Sequence, residues 1–211
     1  FRSLRAASWL MIYKPELFQE QMRSWGRSEE KIPEEADIRR VGNALGEALI
    51  RAWDEPQRVY HGQSHLIWLL GEADRRAALI RDPAFVGYAI WFHDAVYWPW
   101  SAHNEARSAQ WASRFLNGQP VPPSLVRTVH EHIMATCHNP GALQGDATWV
   151  VDIDLAVLGQ SDAVYRQFER NVRKEYFFVR WPRYAAGRSA VLQGFLDRPR
   201  IYHNEWFYYR Y

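Results

Sequence analysis

The chain has 211 residues, 47 % of them hydrophobic, with 26 Lys and Arg against 24 Asp and Glu and a formal net charge of +2. That length and apolar content fit one domain with a substantial core and argue against disorder. So balanced a charge announces neither a nucleic-acid nor a membrane partner.

No apolar stretch reaches the roughly 18 uncharged residues of a membrane span. Cys137 is the only cysteine, so no intrachain disulfide forms and a reducing cytoplasm fits best. Phe1 in place of an initiator Met suggests a trimmed start, and a removed signal peptide stays open.

The spacing predicts helices throughout. Residues 1–30 read as an N-terminal helical extension and 31–211 as one helical domain. Ile38, Val41, Leu45, Leu49 and Trp53 recur at three- and four-residue steps, as one buried helix face requires. Pro56 ends that helix. Leu66, Leu69, Leu70, Ala73 and Ala77 form a second stripe. After the break at Asp82-Pro83, the run to Phe92 reads as a helix buried on most sides. Ala106, Ala109, Phe115 and Leu116 give a fourth, closed by Asn117-Gly118. Pro122-Pro123 with Leu125, Val129 and Ile133 opens a fifth, and Asn139-Pro140-Gly141 stops it. Over 149–158 the periodicity fits a strand or a helix. Val151, Leu155 and Leu158 on one face, with Gly159 at a C-cap position, favour a helix. Asp162 caps a longer helix carrying Val164, Phe168, Val172 and Tyr176, and 188–196 gives the last. No strand alternation interrupts them, so the class predicted is all-α. The aromatic run 206–211 needs a surface to pack on: this domain, a further tail or a second subunit, which leaves a homo-oligomer open.

The chemistry centres on His93-Asp94, which ends the apolar run 88–92. A buried ionised carboxylate is costly without a partner, and a divalent cation satisfies both side chains. Upstream, His61 and His65 stand one helical turn apart; downstream, Asp152 and Asp154 sit in another apolar run. In that order an ion could receive His65, His93, Asp94 and one of Asp152 or Asp154. Two imidazoles with two carboxylates suit Mn, Fe, Co, Ni or Zn better than Ca, and Mg also stays open. A bound ion lowers the pKa of water toward neutrality, and open coordination positions suit catalysis. The competing reading is a core histidine hydrogen-bonded to a carboxylate; the flanking histidines and aspartates weigh against it.

Other residues carry two readings each. Arg58 offers a planar fork to a phosphate, or pairs with Glu55 or Asp54. Asn104 and Glu105 hold a ligand imidazole or a water from outside the ligand set, or simply begin a helix. His138 reads as lining the site or binding substrate. His130 and His132, two apart, cannot share a helix face, so at most one joins His138. Asp152 reads as the partner of a ligand or a helix-terminal charge, Cys137 as a structural thiol, and His103 and His203 as surface residues. Tyr97, Trp98 and Trp100 follow the doublet in a Pro-containing loop suited to a pocket mouth. The basic cluster Arg166, Arg170, Arg173 and Lys174 reads as a solvated helix face. No Gly-rich phosphate loop and no Gly-x-Ser-x-Gly elbow occurs.

Several segments together carry a resemblance. They are Tyr60-His61 with His65, Trp91-Phe92-His93-Asp94-Ala95-Val96-Tyr97, Asn104-Glu105, Thr136-Cys137-His138, Asp152-Ile153-Asp154-Leu155, Arg173-Lys174-Glu175-Tyr176 and Gly187-Arg188. From about residue 38 to its end the chain resembles the HD superfamily of metal-dependent phosphohydrolases, most of all a bacterial branch of it. The resemblance implies an all-α domain with the metal between helices. It also implies hydrolysis of a small phosphorylated substrate, a nucleotide among the candidates. Tyr60-His61-x-x-x-His65 is also similar to a signature of cyclic-nucleotide phosphodiesterases. By that similarity His65 is the ligand and His61 the general acid, and the triplet Ile153-Asp154-Leu155 selects Asp154 over Asp152; within either pair the roles could be reversed. Tyr97 stands where those enzymes have a further histidine, so their second-metal arrangement does not carry over intact, and whether one ion or two bind stays open. Gly62 stands where the bacterial branch has Asn. The rival reading is a noncatalytic metal- or nucleotide-binding regulatory module; oxygenation or hydration on the same scaffold is a third.

Overall fold

The computed structural model describes residues 46–119, 121–138 and 143–211. The expected extension over 1–30, the stripe positions Ile38, Val41 and Leu45, and the stop at Asn139-Pro140-Gly141 lie outside the described residues. Among the described residues every regular element is helical and no strand occurs. In chain order the helices are α1 (46–53), α2 (Gln63–Arg75), α3 (Pro83–Phe92), α4 (Asn104–Asn117) and α5 (Pro123–Ala135). They continue as α6 (Ala147–Leu155), α7 (Asp162–Glu175), α8 (Trp181–Leu196) and α9 (Glu205–Arg210), with short 3-10 segments at Ala77–Leu79 and Ala156–Gly159.

The most apolar helix sits at the centre. In α3, Val86, Ala89, Ile90, Trp91 and Phe92 are all buried, and the helix packs against α2, α4, α5 and α6. Pro83 occupies its first turn, where a missing N–H costs nothing. Helix α4 presents Ser108, Ala109, Ala112 and Leu116 inward, and its small residues let α5 lie close. Leu49 and Trp53 of α1 close the same core. The structure extends two sequence readings. Helix α8 begins at Trp181 rather than 188, because Pro182 fits a first helical turn. A further helix, α9, occupies the aromatic run at the end.

That run packs on the domain through Phe207, while Tyr208 and Tyr209 stay exposed. Phe207 is fully buried, its ring stacked 5.9 Å from Tyr202, and the Arg76 guanidinium lies 3.6 Å over the Trp206 ring. Tyr211 lies directly against Gly159, where any Cβ would overlap its side chain and stand 2.9 Å from the Tyr202 hydroxyl. Gly159→Ala should therefore cost about 1–3 kcal/mol, read as a lower Tm, by forcing the end of the chain away. Gly187→Ala, in open space within α8, is the control and should hold or slightly raise Tm. No described helix is long and apolar enough to cross a membrane.

Candidate metal centre

Three helix ends converge on one point. His93 follows the last residue of α3, His65 lies in the first turn of α2, and Asp154 lies near the end of α6. One ligand atom from each of His65, His93 and Asp154 lies within 4.8 Å of the others. Nε2 of His65 is 3.2 Å from Asp154 Oδ1, and Nε2 of His93 is 3.8 Å from the same oxygen. Asp94 joins through His93, its Oδ2 lying 3.4 Å from Nε2. The Trp53 ring, 5.5 Å from that of His93, walls the cluster and donates its own N–H to the Trp91 carbonyl at 3.0 Å.

The tautomer of His93 is fixed by the backbone: its Nδ1 donates to the Ile90 carbonyl at 2.8 Å, so in the neutral ring the proton resides there and Nε2 carries the lone pair. That Nε2 is buried and has no hydrogen-bond partner. A lone pair aimed at two carboxylates is an unfavourable arrangement that a cation between them reverses. The neighbouring groups have compatible protonation states. Burial, opposed by the bond to Asp154, pushes the His65 pKa down and keeps that ring neutral. Burial pushes Asp154 up, but hydrogen bonds from His138 and His65 outweigh it and hold the carboxyl well below its usual range. Neutral imidazoles around an ionised carboxylate are the forms that bind a divalent ion. The donor set present fits such an ion.

His138 approaches Asp154 from the other side, its Nε2 3.2 Å from Oδ2. It follows the turn after α5 with φ 52°, a left-handed conformation that histidine tolerates better than most residues. The Arg198 guanidinium donates to its carbonyl at 2.6 Å, and the Phe195 ring lies edge-on 5.7 Å away. Asp154 thus pairs one oxygen with His65 and the other with His138, while His93 Nε2 stands 3.8 Å from the first without a bond to it. The other two histidines of α5 lie apart from it: His130 Nδ1 is 3.2 Å from the Ser113 hydroxyl, and His132 is buried elsewhere along the helix.

Beside the cluster stands a second, paired group. His61 Nδ1 is 2.7 Å from Glu175 Oε2. Glu175, only 2 % exposed, also accepts the backbone N–H groups of Val59, Tyr60 and His61 on Oε1, at 2.7, 2.7 and 2.9 Å, and the Tyr97 hydroxyl on Oε2 at 2.9 Å. A carboxylate at the C-terminal end of a helix such as α7 is electrostatically misplaced, so these donors are what keep it ionised there. Burial works against that charge, yet the contacts with His61 and the backbone bring the Glu175 pKa down to about 2. Burial likewise lowers His61, but the Glu175 hydrogen bond overrides it and the pKa ends raised. The Tyr97 ring stacks on the His61 ring at 4.3 Å and the His65 ring lies 5.9 Å away. Burial and the charge of Glu175 keep Tyr97 protonated and hence a donor. The segment with Glu175 appeared among the sequence landmarks without a role. The available signal was its place on the stripe Phe168, Val172, Glu175, a charge where α7 is otherwise apolar.

Of the two readings of Arg58, the structure shows the pairing with Glu55 and adds three backbone carbonyls to it. Its side chain is fully buried, and its donors are engaged: Nε to Glu55 at 3.0 Å, Nη1 to the carbonyls of His61 and Asp94 at 3.0 and 2.7 Å, Nη2 to that of Ala95 at 3.1 Å. It ties the His61 segment to the loop after α3 rather than offering a fork to a phosphate. Lysine has neither the planar fork nor the reach to all four oxygens. Arg58→Lys should cost about 2–4 kcal/mol of stability, seen as a fall in urea midpoint.

Asn104 serves the same loop, accepting the Trp98 N–H at 3.1 Å and donating to its carbonyl at 2.9 Å. Glu105, half-buried in the first turn of α4, together with burial pushes the Cys137 thiol up, as befits an unreactive cysteine. Asp152 points away from the cluster. Its oxygens accept the N–H groups of His203 and Asn204 and the Asn204 side chain, at 2.6–3.0 Å. It also lies 3.1 Å from His203 Nδ1, so His203, though exposed, is tied down.

Compared with models of protein families, with curated proteins and with solved structures, the chain matches none.

Proposed function

We propose that this chain is a metal-dependent phosphohydrolase of HD type, acting on a small phosphorylated substrate such as a nucleotide. The observation that carries the reading is the buried, unpartnered Nε2 of His93, aimed at Asp94 and Asp154 with a neutral His65 beside them. His65, His93 and Asp154, with Asp94 adjoining, would hold a divalent ion such as Mn, Fe, Co, Ni, Zn or Mg. When bound, such an ion neutralises charge on a phosphoryl group and acidifies water.

The remaining work falls to the chain. Glu175 fixes the His61 ring through Nδ1 and favours its charged form, leaving Nε2–H to protonate a departing oxygen. Tyr97 packs one face of that ring, so it keeps a fixed direction. Arg58 and Asn104 hold the loops that carry His61 and Asp94. His138 lines the far side of Asp154, where a substrate group or a further ligand would meet it. The free thiol of Cys137 suits a reducing compartment such as the cytoplasm.

The test is metal content by mass spectrometry, followed by turnover of phosphomonoesters, phosphodiesters and nucleotides by the same preparation. The reading expects bound divalent metal and phosphate-ester cleavage, with His61→Ala keeping the metal and losing rate. Metal-loaded protein inert toward all three classes would overturn it in favour of a regulatory binding module.

A further inference from the structure

An exposed aromatic surface adjoins the centre. In the loop after α3, Trp98 and Trp100 lie 5.1 Å apart, and Trp100, 66 % exposed, meets Phe178 at 5.9 Å. Phe178 belongs to the turn between α7 and α8, which also exposes Phe177 (78 %) and Trp181 (63 %). Half-buried Tyr176 and Tyr184 join these rings from below, 6.2 Å from Phe178 and 6.0 Å from Trp181. Large rings gathered in one exposed patch mark a surface that is covered in use.

The local charge indicates what covers it. Between residues 173 and 188 the sequence holds five basic side chains and one acid, Glu175, which is buried and already satisfied. Arg188 pairs with Glu169; Lys174, Arg180 and Arg183 are exposed and form no ion pair with a described residue. The Arg173 guanidinium, near the end of α7, lies over the Tyr184 ring in the first turn of α8 at 4.6 Å. The near-neutral whole-chain balance conceals this local excess. A second copy packed face to face would set these cations against each other. A membrane-docking helix would present its rings in one stripe, whereas these come from two separate segments. Exposed aromatic rings beside guanidinium groups that form no ion pair with a described residue are what unstacked bases and their phosphates use.

The surface also leads inward. Trp98 follows Tyr97, which stacks on His61, and Tyr176 follows Glu175, which holds it. We propose that this surface binds single-stranded nucleic acid, with bases on Trp98, Trp100 and Phe178 and phosphates on Arg180 and Arg183. The binding stands on the rings and charges alone. That the strand is also the substrate rests on the phosphohydrolase reading: water adds to phosphorus, one P–O ester bond breaks, and the departing oxygen leaves protonated, giving a phosphomonoester end and a hydroxyl end.

The test is fluorescence anisotropy of a labelled oligothymidylate with the full chain, at about 50 mM salt and with chelator so that nothing is cleaved. The strand should bind, and its duplex more weakly. Trp100→Ala and Phe178→Ala should each weaken binding about tenfold without changing metal content. The double variant Arg180→Ala, Arg183→Ala should flatten the salt dependence by about 1.4 log units per decade. Absence of binding, or binding that these variants leave unaltered, overturns the proposal. So does binding of phosphatidylserine vesicles, or self-association in sedimentation, that the variants abolish while the oligonucleotide is ignored. Oligonucleotide binding by a metal-loaded chain that cleaves no phosphoester would leave this surface standing and remove the hydrolase reading.

Discussion

His93→Ala and Asp154→Asn should each abolish divalent-metal binding, and phosphoester turnover should fall to background with it. His93 supplies a buried lone pair whose direction the Ile90 carbonyl fixes, and Asp154 supplies the charge shared by His65, His93 and His138. A ligand that binds only the folded chain raises stability by about 2.7 kcal/mol at a hundredfold excess over Kd. The intact chain should therefore gain several degrees of Tm when Mn or Zn is added, and neither variant should. A histidine that merely fills the core would lower Tm without removing that metal-dependent gain. A His93→Ala chain that still binds metal as the parent does would sink the assignment.

Glu175→Gln should spare the metal and lower kcat by about 10²–10⁴-fold, the range of general acid–base catalysis. The amide cannot favour charge on His61, and it disturbs the oxygens that hold Val59, Tyr60 and Tyr97. The pair also sets a pH window for stability. Glu175 drops from its ordinary 4.5 to about 2, so its contribution is complete above pH 4.5 and lost as pH falls toward 2. That amounts to about 3 kcal/mol. His61 is raised, so its contribution is complete below its ordinary 6.5 and lost as pH climbs through the raised value. The two descriptions concern one ion pair and are counted once; it acts fully between those limits. Thermal unfolding from pH 6 to pH 3 should show an acid loss in the parent that shrinks in Glu175→Gln. An unchanged kcat would remove His61 and Glu175 from the chemistry.

Helical periodicity made the scaffold legible, because α2, α4 and α5 bury stripes at steps of three and four, while α3 and α6 are apolar nearly all round. The convergence of His65, His93 and Asp154 was legible because these residues interrupt apolar runs. Asp154 and Asp152, two residues apart on one helix, point to opposite sides, which spacing alone leaves symmetrical. The pairing of Arg58 with Glu55 was legible from their spacing, but its three carbonyl acceptors lie on backbone that no residue pattern identifies. Glu175 went without a role because its partners are 78 to 116 residues away. The turn between α7 and α8 carried no signal in the sequence, since Phe178 meets Trp100 only once the chain is folded.

Asp152 has a consequence for the whole chain. Its anion is held inside the protein by the start of the final segment, His203 and Asn204, and it sits two residues from Asp154. Peeling that segment away would strand an uncompensated charge in α6 and strain the helix that presents Asp154. Residues 203–211 thereby help set the position of α6 and of Asp154, and on the proposed reading a partner that captured this segment would weaken the hold on a bound ion.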